Sequence, residues 1–111
     1  MMIASRVLKL REAGRDVGIP IEIFAPEQRS MDWICRFEIG WPDGKLERYA
    51  SGIDAVQALL LALHMIGAQI YASDHHASGS LVWLEPGFGY GFPVPASIRD
   101  LLVGNDKRYF G

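Results

Sequence analysis

Three residues in a row, Asp74-His75-His76, offer the clearest chance of chemistry in this 111-residue chain. Imidazoles beside a carboxylate can ligate a transition metal, and His64 could join them from an upstream element. A defined metal site needs three or four converging donors, and adjacent side chains diverge unless the backbone turns sharply. A polar loop with exposed histidines is therefore the expected reading of Asp74, His75 and His76, and a locally hydrogen-bonded core or interface histidine that of His64, with no metal and no cofactor assigned. The same triplet, with Glu85, could serve a small metal-binding protein or a hydrolase. No serine or cysteine nucleophile is tied to it by a motif, so no catalytic residue is assigned. Cys35 is the only cysteine, which excludes an intramolecular disulfide and fits a cytoplasmic protein. It lies within an apolar alternation and reads as a buried, inert thiol. Gly87-Phe-Gly-Tyr-Gly91 looks superficially like a phosphate-binding loop. Such loops open a helix, whereas this one runs into Phe92-Pro-Val-Pro95, so it reads as an irregular or bulged structural segment.

The elements that must position these residues are plainer. Ile19, Ile21 and Ile23 alternate, as do Trp33, Cys35, Phe37, Ile39 and Trp41. Period two marks half-buried strands. Residues 4–11 read as a first strand, 12–18 as a turn and 45–51 as a further strand. At Pro42-Asp43-Gly44 a type I turn with a glycine bulge is expected, placing Glu38 opposite Arg48. A two-residue loop at Asp43-Gly44 would instead place Ile39 opposite Arg48. Arg36, Glu38, Arg48, Glu47 and Glu22 are expected to decorate the open sheet face.

Residues 53–71 read as one long helix with Asp54 at its start. It is apolar on nearly every side, Gln57 and His64 being almost its only polar groups. An ordinary surface helix has a polar back. This one needs cover on several sides and is expected at the centre of the fold. Residues 73–79 read as a loop, 80–85 as a short strand, and Ile98, Leu101 and Leu102 as a short helix that Gly104 stops. Residues 104–111 are expected to form a flexible tail. The expectation is one α+β domain over residues 1–111, an antiparallel β-meander packed on one long central apolar helix, with a short C-terminal helix.

Phe37-Glu-Ile-Gly-Trp-Pro-Asp-Gly44, Gly52-Ile-Asp-Ala-Val-Gln-Ala-Leu-Leu-Leu-Ala-Leu63 and Gly91-Phe-Pro-Val-Pro95 resemble a family of small uncharacterised bacterial proteins, a domain of unknown function. The resemblance spans residues 19–95 and implies no catalytic residues. The helix entry also resembles, more loosely, that of several immunity proteins that neutralise bacterial toxins.

Half of the residues are hydrophobic, 22% are charged, and the net charge is −2. The eight arginines are scattered, so no nucleic-acid partner is expected. No signal peptide is read at the N-terminus, and no membrane span is expected, because Gln57 and His64 would be costly at depth. The expected function is that of a non-enzymatic protein-interaction module, immunity-like or regulatory. The partner would be another protein or a second copy in a twofold homodimer. Leu61, Met65, Tyr49, Trp83 and Tyr90 are the candidate interaction residues.

Overall fold

The structure is a computed structural model that describes residues 1–111. Strands β1 (Met2–Glu12) and β2 (Arg15–Phe24) form a hairpin, followed by the two-residue β3 (Glu27–Gln28), β4 (Trp33–Trp41) and β5 (Gly44–Gly52). Helix α1 (Ala55–Tyr71) and the one-turn helix α2 (Asp74–Ala77) lead to β6 (Leu81–Val82). A 3-10 segment, Ala96–Leu101, and helix α3 (Gly104–Phe110) complete the chain. The fold is α+β with an antiparallel six-stranded sheet. β2 lies between β1 and β4, β5 pairs with β4, and β6 returns to the far side of β1. The chain between β5 and β6 therefore crosses the whole sheet, and α1 is the element that crosses.

Alternation in sequence becomes alternation in burial. Leu8, Leu10, Ile19, Ile21, Ile23, Cys35, Phe37 and Ile39 turn to the face that α1 covers and are buried. Ala58, Ala62, Ile66, Gly67, Ile70 and Tyr71 are the buried side of α1. Asp54 caps the helix by accepting from Gln57 N at 2.8 Å, and Gln57 Oε1 accepts from Ile53 N at 2.7 Å. This reciprocal pair satisfies one of the N–H groups that helix geometry leaves free and the N–H of the residue just before the cap. Gly67 allows the closest approach to the helix: a Cβ there would lie 1.9 Å from the Pro93 carbonyl oxygen. The Pro93–Val94 segment thereby packs onto α1 beside β1.

Four expectations need correction. The first turn is only Ala13-Gly14, because Ala13 itself takes a positive φ of 48° and lets β1 run to Glu12. The second hairpin closes through Pro42-Asp43, with Trp41 opposite Gly44. Gly44 is spent within the strand and forms no bulge, so Phe37 faces Arg48 and Glu38 faces Glu47. Arg48 thus falls on the parity of Phe37, away from Arg36 and Glu38. Lys45 relieves the facing carboxylates, with Nζ 3.3 Å from Glu38 and 3.5 Å from Glu47. Residues 73–79 contain a helical turn, capped by Ser73 Oγ, which accepts from His76 N at 3.1 Å. Finally, Gly104 begins α3 where a flexible tail was expected, and that helix is tied to the core through Asp106.

Candidate functional site

Of the four residues considered for metal ligation, Asp74 and His75 border one shallow cavity, while His76 and His64 lie apart from it and from each other. His75 stacks on Trp41, ring centroids 5.2 Å apart, with Nε2 3.8 Å from Asp43. His76, one residue on, turns inward, with Nδ1 and the Tyr90 hydroxyl 2.5 Å apart. Asp74 is exposed on α2. His64 lies on α1, where its Nδ1–H donates to the Leu60 carbonyl at 2.8 Å. A carbonyl can only accept, so Nδ1 carries the proton and Nε2 is the free ring nitrogen. Glu85 is exposed beside the cavity that His76 and Tyr90 help to line. Helical geometry at Asp74–Ala77 is what splits the histidines, since consecutive helical side chains point about 100° apart.

His76 belongs to a cluster that sequence reading missed. Asp106 is 1% exposed. Its carboxylate accepts from the Tyr71 hydroxyl at 2.6 Å, Tyr90 N at 2.7 Å and Gly91 N at 2.7 Å. Val103 N donates to the Tyr71 hydroxyl at 3.3 Å. Tyr71, His76 and Tyr90 meet edge to face, with centroids 4.8 to 5.4 Å apart. Gly89 is required here: its φ is +92°, and a Cβ would come within 2.6 Å of the Asp106 carboxyl carbon. Burial, with the Asp106 charge adding to it, pushes the Tyr90 phenol up to about 12. Burial raises the Tyr71 phenol as well, reinforced by its bond to Asp106. Burial also lowers the imidazolium acidity range of His76, favouring the neutral ring. Both phenols stay protonated near neutrality, and the Asp106 carboxylate is already occupied by three donors. The arrangement is suited to clamping α1, the 87–92 segment and α3 together.

Arg6 provides the second fastening of the same segment. Its Nη1 donates to the carbonyls of Tyr90 at 2.9 Å and Gly91 at 3.1 Å. Its guanidinium carbon lies 4.0 Å from the centroid of Trp83 and 4.8 Å from that of Phe92. Burial lowers its pKa, and attraction to Asp106 partly offsets this. The alternation of glycine with aromatics in 87–92 suggested a close backbone approach. The remote partners, Arg6 and Asp106, carried no sequence signal.

The outer side of α1 is unlike this fastened end. Ile53 is 86% exposed, Val56 74%, Leu60 50% and Leu61 41%. Positions 56 and 60 are four residues apart, so they line one stripe of the helix surface, and Ile53 lies just before the N-cap at its start. Leu60 also borders a groove of about 790 Å³. Its walls come from β1, β2, α1, the Gly91–Val94 segment, Arg99 and α3. The sequence-nominated interaction residues are dispersed. Leu61 flanks the stripe, and Met65 is partly buried on the same helix. Tyr49 is exposed on the outer sheet face under Arg29, 5.3 Å from its ring centroid. Trp83 lies beneath Arg6. Tyr90 is buried, so it has no surface to offer; its hydroxyl and ring are used by the clamp.

No helix of the structure is long and apolar enough to cross a membrane. Residues 4–94 match the model of a family described as a domain of unknown function, DUF6968. No curated protein and no solved structure matches the chain.

Proposed function

We propose that this chain, which belongs to the DUF6968 family, is a protein-interaction module whose contact face is the outer side of α1. The observation that carries the reading is the exposed run Val56, Leu60 and Leu61 on α1, with Ile53 exposed just before its N-cap. Single exposed apolar residues are ordinary, but several in a row on a rigid element mark a contact surface. Each half-exposed leucine that becomes buried contributes about 1 kcal/mol, from roughly 25 cal/mol per Å² of apolar surface. The setting proposed is a bacterial cytoplasm and the role immunity-like or regulatory, on the strength of the sequence resemblance.

The helix would then become the central apolar element only in the assembled state, with the sheet on one side and the partner on the other. A second copy related by a twofold axis is one such partner, and a different protein is the other. The test is a native pull-down with mass spectrometry from the source cell, run in parallel with wild type and Val56→Glu. Val56 is exposed enough that a charge there should leave the fold intact. The reading expects a protein, or a second copy, recovered with wild type and lost with the variant. Identical recoveries from the two would overturn it.

A further inference from the structure

The edge of the sheet at β1 is open along most of its length. β1 pairs with β2 from Met2 to Glu12, but on its other side β6 pairs only with Lys9 and Leu10. Arg11 N donates to Ser80 O on that side at 2.8 Å. Backbone groups in an antiparallel strand alternate between neighbours. The odd-numbered residues before Arg11 therefore turn their N–H and C=O the same way, and Ser5 and Val7 face no strand. The chain leaves this edge just after Val82, where Leu84 takes a positive φ of 64° and Trp83 bridges to Glu85.

Open edges are normally guarded by charge. β5, the opposite edge, carries Lys45, Glu47 and Arg48. Between Met2 and Leu8 the only charged side chain is Arg6, and it is drawn inward between Trp83 and Phe92. Val7 is 59% exposed, and Met2 and Ile3 are exposed as well.

The groove described above begins at this same edge. Ala4, Ser5 and Arg6 form one wall, and Leu60, Leu63 and His64 of α1 form another. The lining includes Arg6, His64 and Arg99 but no Asp or Glu side chain. Arg6 is offset by Asp106 in the interior. Arg99 is exposed and makes no ion pair, so it is the one side-chain charge of the groove left without an offsetting neighbour.

We propose that the β1 edge at Ser5 and Val7 receives an extended segment of a partner protein, which adds as a further strand and places an apolar and an acidic side chain in the adjoining groove. Strand addition supplies affinity through main-chain bonds, and the groove supplies selectivity through alternate side chains. An acidic residue within reach of Arg99 is the complementary charge. This deepens the reading of the chain as an interaction module but uses a different element from the outer side of α1.

The test begins with a random heptapeptide library displayed on phage and selected against the whole chain. The result expected is enrichment of sequences with alternating apolar residues and at least one Asp or Glu. A synthetic peptide of the enriched sequence should then slow hydrogen exchange at the Ser5 and Val7 amides. Ser5→Pro removes one outward N–H while leaving the β2 ladder in place, as proline is tolerated on edges. It should weaken binding at least tenfold, as should Arg99→Glu, whose exposed position avoids any folding defect. Val56→Glu should bind the peptide as wild type does, which separates this site from the helix face. The proposal is overturned by no enrichment, by enriched peptides lacking acids, or by loss of binding in Val56→Glu alone. It is equally overturned if sedimentation of the chain alone gives a dimer that Ser5→Pro abolishes, because a second copy would then occupy the edge.

Discussion

Removing the Asp106 carboxylate should unfasten the C-terminal third of the molecule. In Asp106→Ala, the amides of Tyr90 and Gly91 and the Tyr71 hydroxyl lose an acceptor held at 2.6 to 2.7 Å. The site is buried, so water does not freely replace it. Hydrogen bonds to a charged group contribute about 1.5–3 kcal/mol each, and an orphaned buried donor costs about 1–3 kcal/mol. Some relaxation is available, since α3 is short and its outer residues are exposed. A loss of about 3–5 kcal/mol follows, in the range seen when one partner of a buried charge network is deleted. Asp106→Asn keeps one acceptor oxygen and turns an NH₂ toward backbone donors, so about 1.5–3 kcal/mol is expected. Urea unfolding followed by circular dichroism and tryptophan fluorescence measures both. A loss under 1 kcal/mol for Asp106→Ala would refute the clamp and return residues 104–111 to the role of a tail.

Further outcomes follow from burial and titration. Ile66→Ala should cost about 2–5 kcal/mol, because Ile66 is fully buried, whereas half-exposed Leu60→Ala should cost under about 1.5 kcal/mol; equal costs in urea unfolding would contradict the one-sided packing of α1. His76 has its pKa lowered by burial, so its contribution is complete above the unfolded value near 6.5 and is lost as pH falls from there through the folded value. Urea midpoints at pH 7.5 and pH 5 should therefore differ more for wild type than for His76→Gln. Tyr90 has its pKa raised to about 12, so its contribution is present below pH 10 and is lost between pH 10 and about 12. Tyr90→Phe should flatten the alkaline unfolding profile over that window, and an unchanged profile would mean that the phenol is not buried as described.

The parts of the fold that could be read from sequence are those with local physics behind them. Trp33 to Trp41 alternates because one face of β4 is buried and the other is not. Residues 53–71 announce a helix through apolar content and through Asp54 and Gln57, which cap it. What escaped reading depends on partners far away in the chain. Asp106 meets Tyr71 across 35 positions and Tyr90 across 16, and nothing near Gly104-Asn-Asp-Lys announces it. The hairpin register turned on whether Gly44 was a bulge or a strand residue, a choice that Pro42-Asp43 does not make locally. A one-residue shift was enough to move Arg48 to the other face. His75 and His76 were visible as chemistry-bearing types, but only the helical turn of α2 decides that one faces Trp41 and the other Tyr90. The apolar excess of α1 was also legible. It pointed to cover on several sides, and the structure supplies cover on one, leaving Ile53, Val56, Leu60 and Leu61 exposed.

That exposed side is where the account is most directly tested. A photo-cross-linking phenylalanine derivative is placed at Val56, and in a second variant at Glu47 on the far edge strand β5, in the source cell. Irradiation should give a discrete covalent adduct at position 56, either twice the mass of the chain or the chain plus a partner, with none at position 47. No adduct at 56, or the same adducts at both positions, would contradict the assignment of the outer side of α1 as a protein contact face.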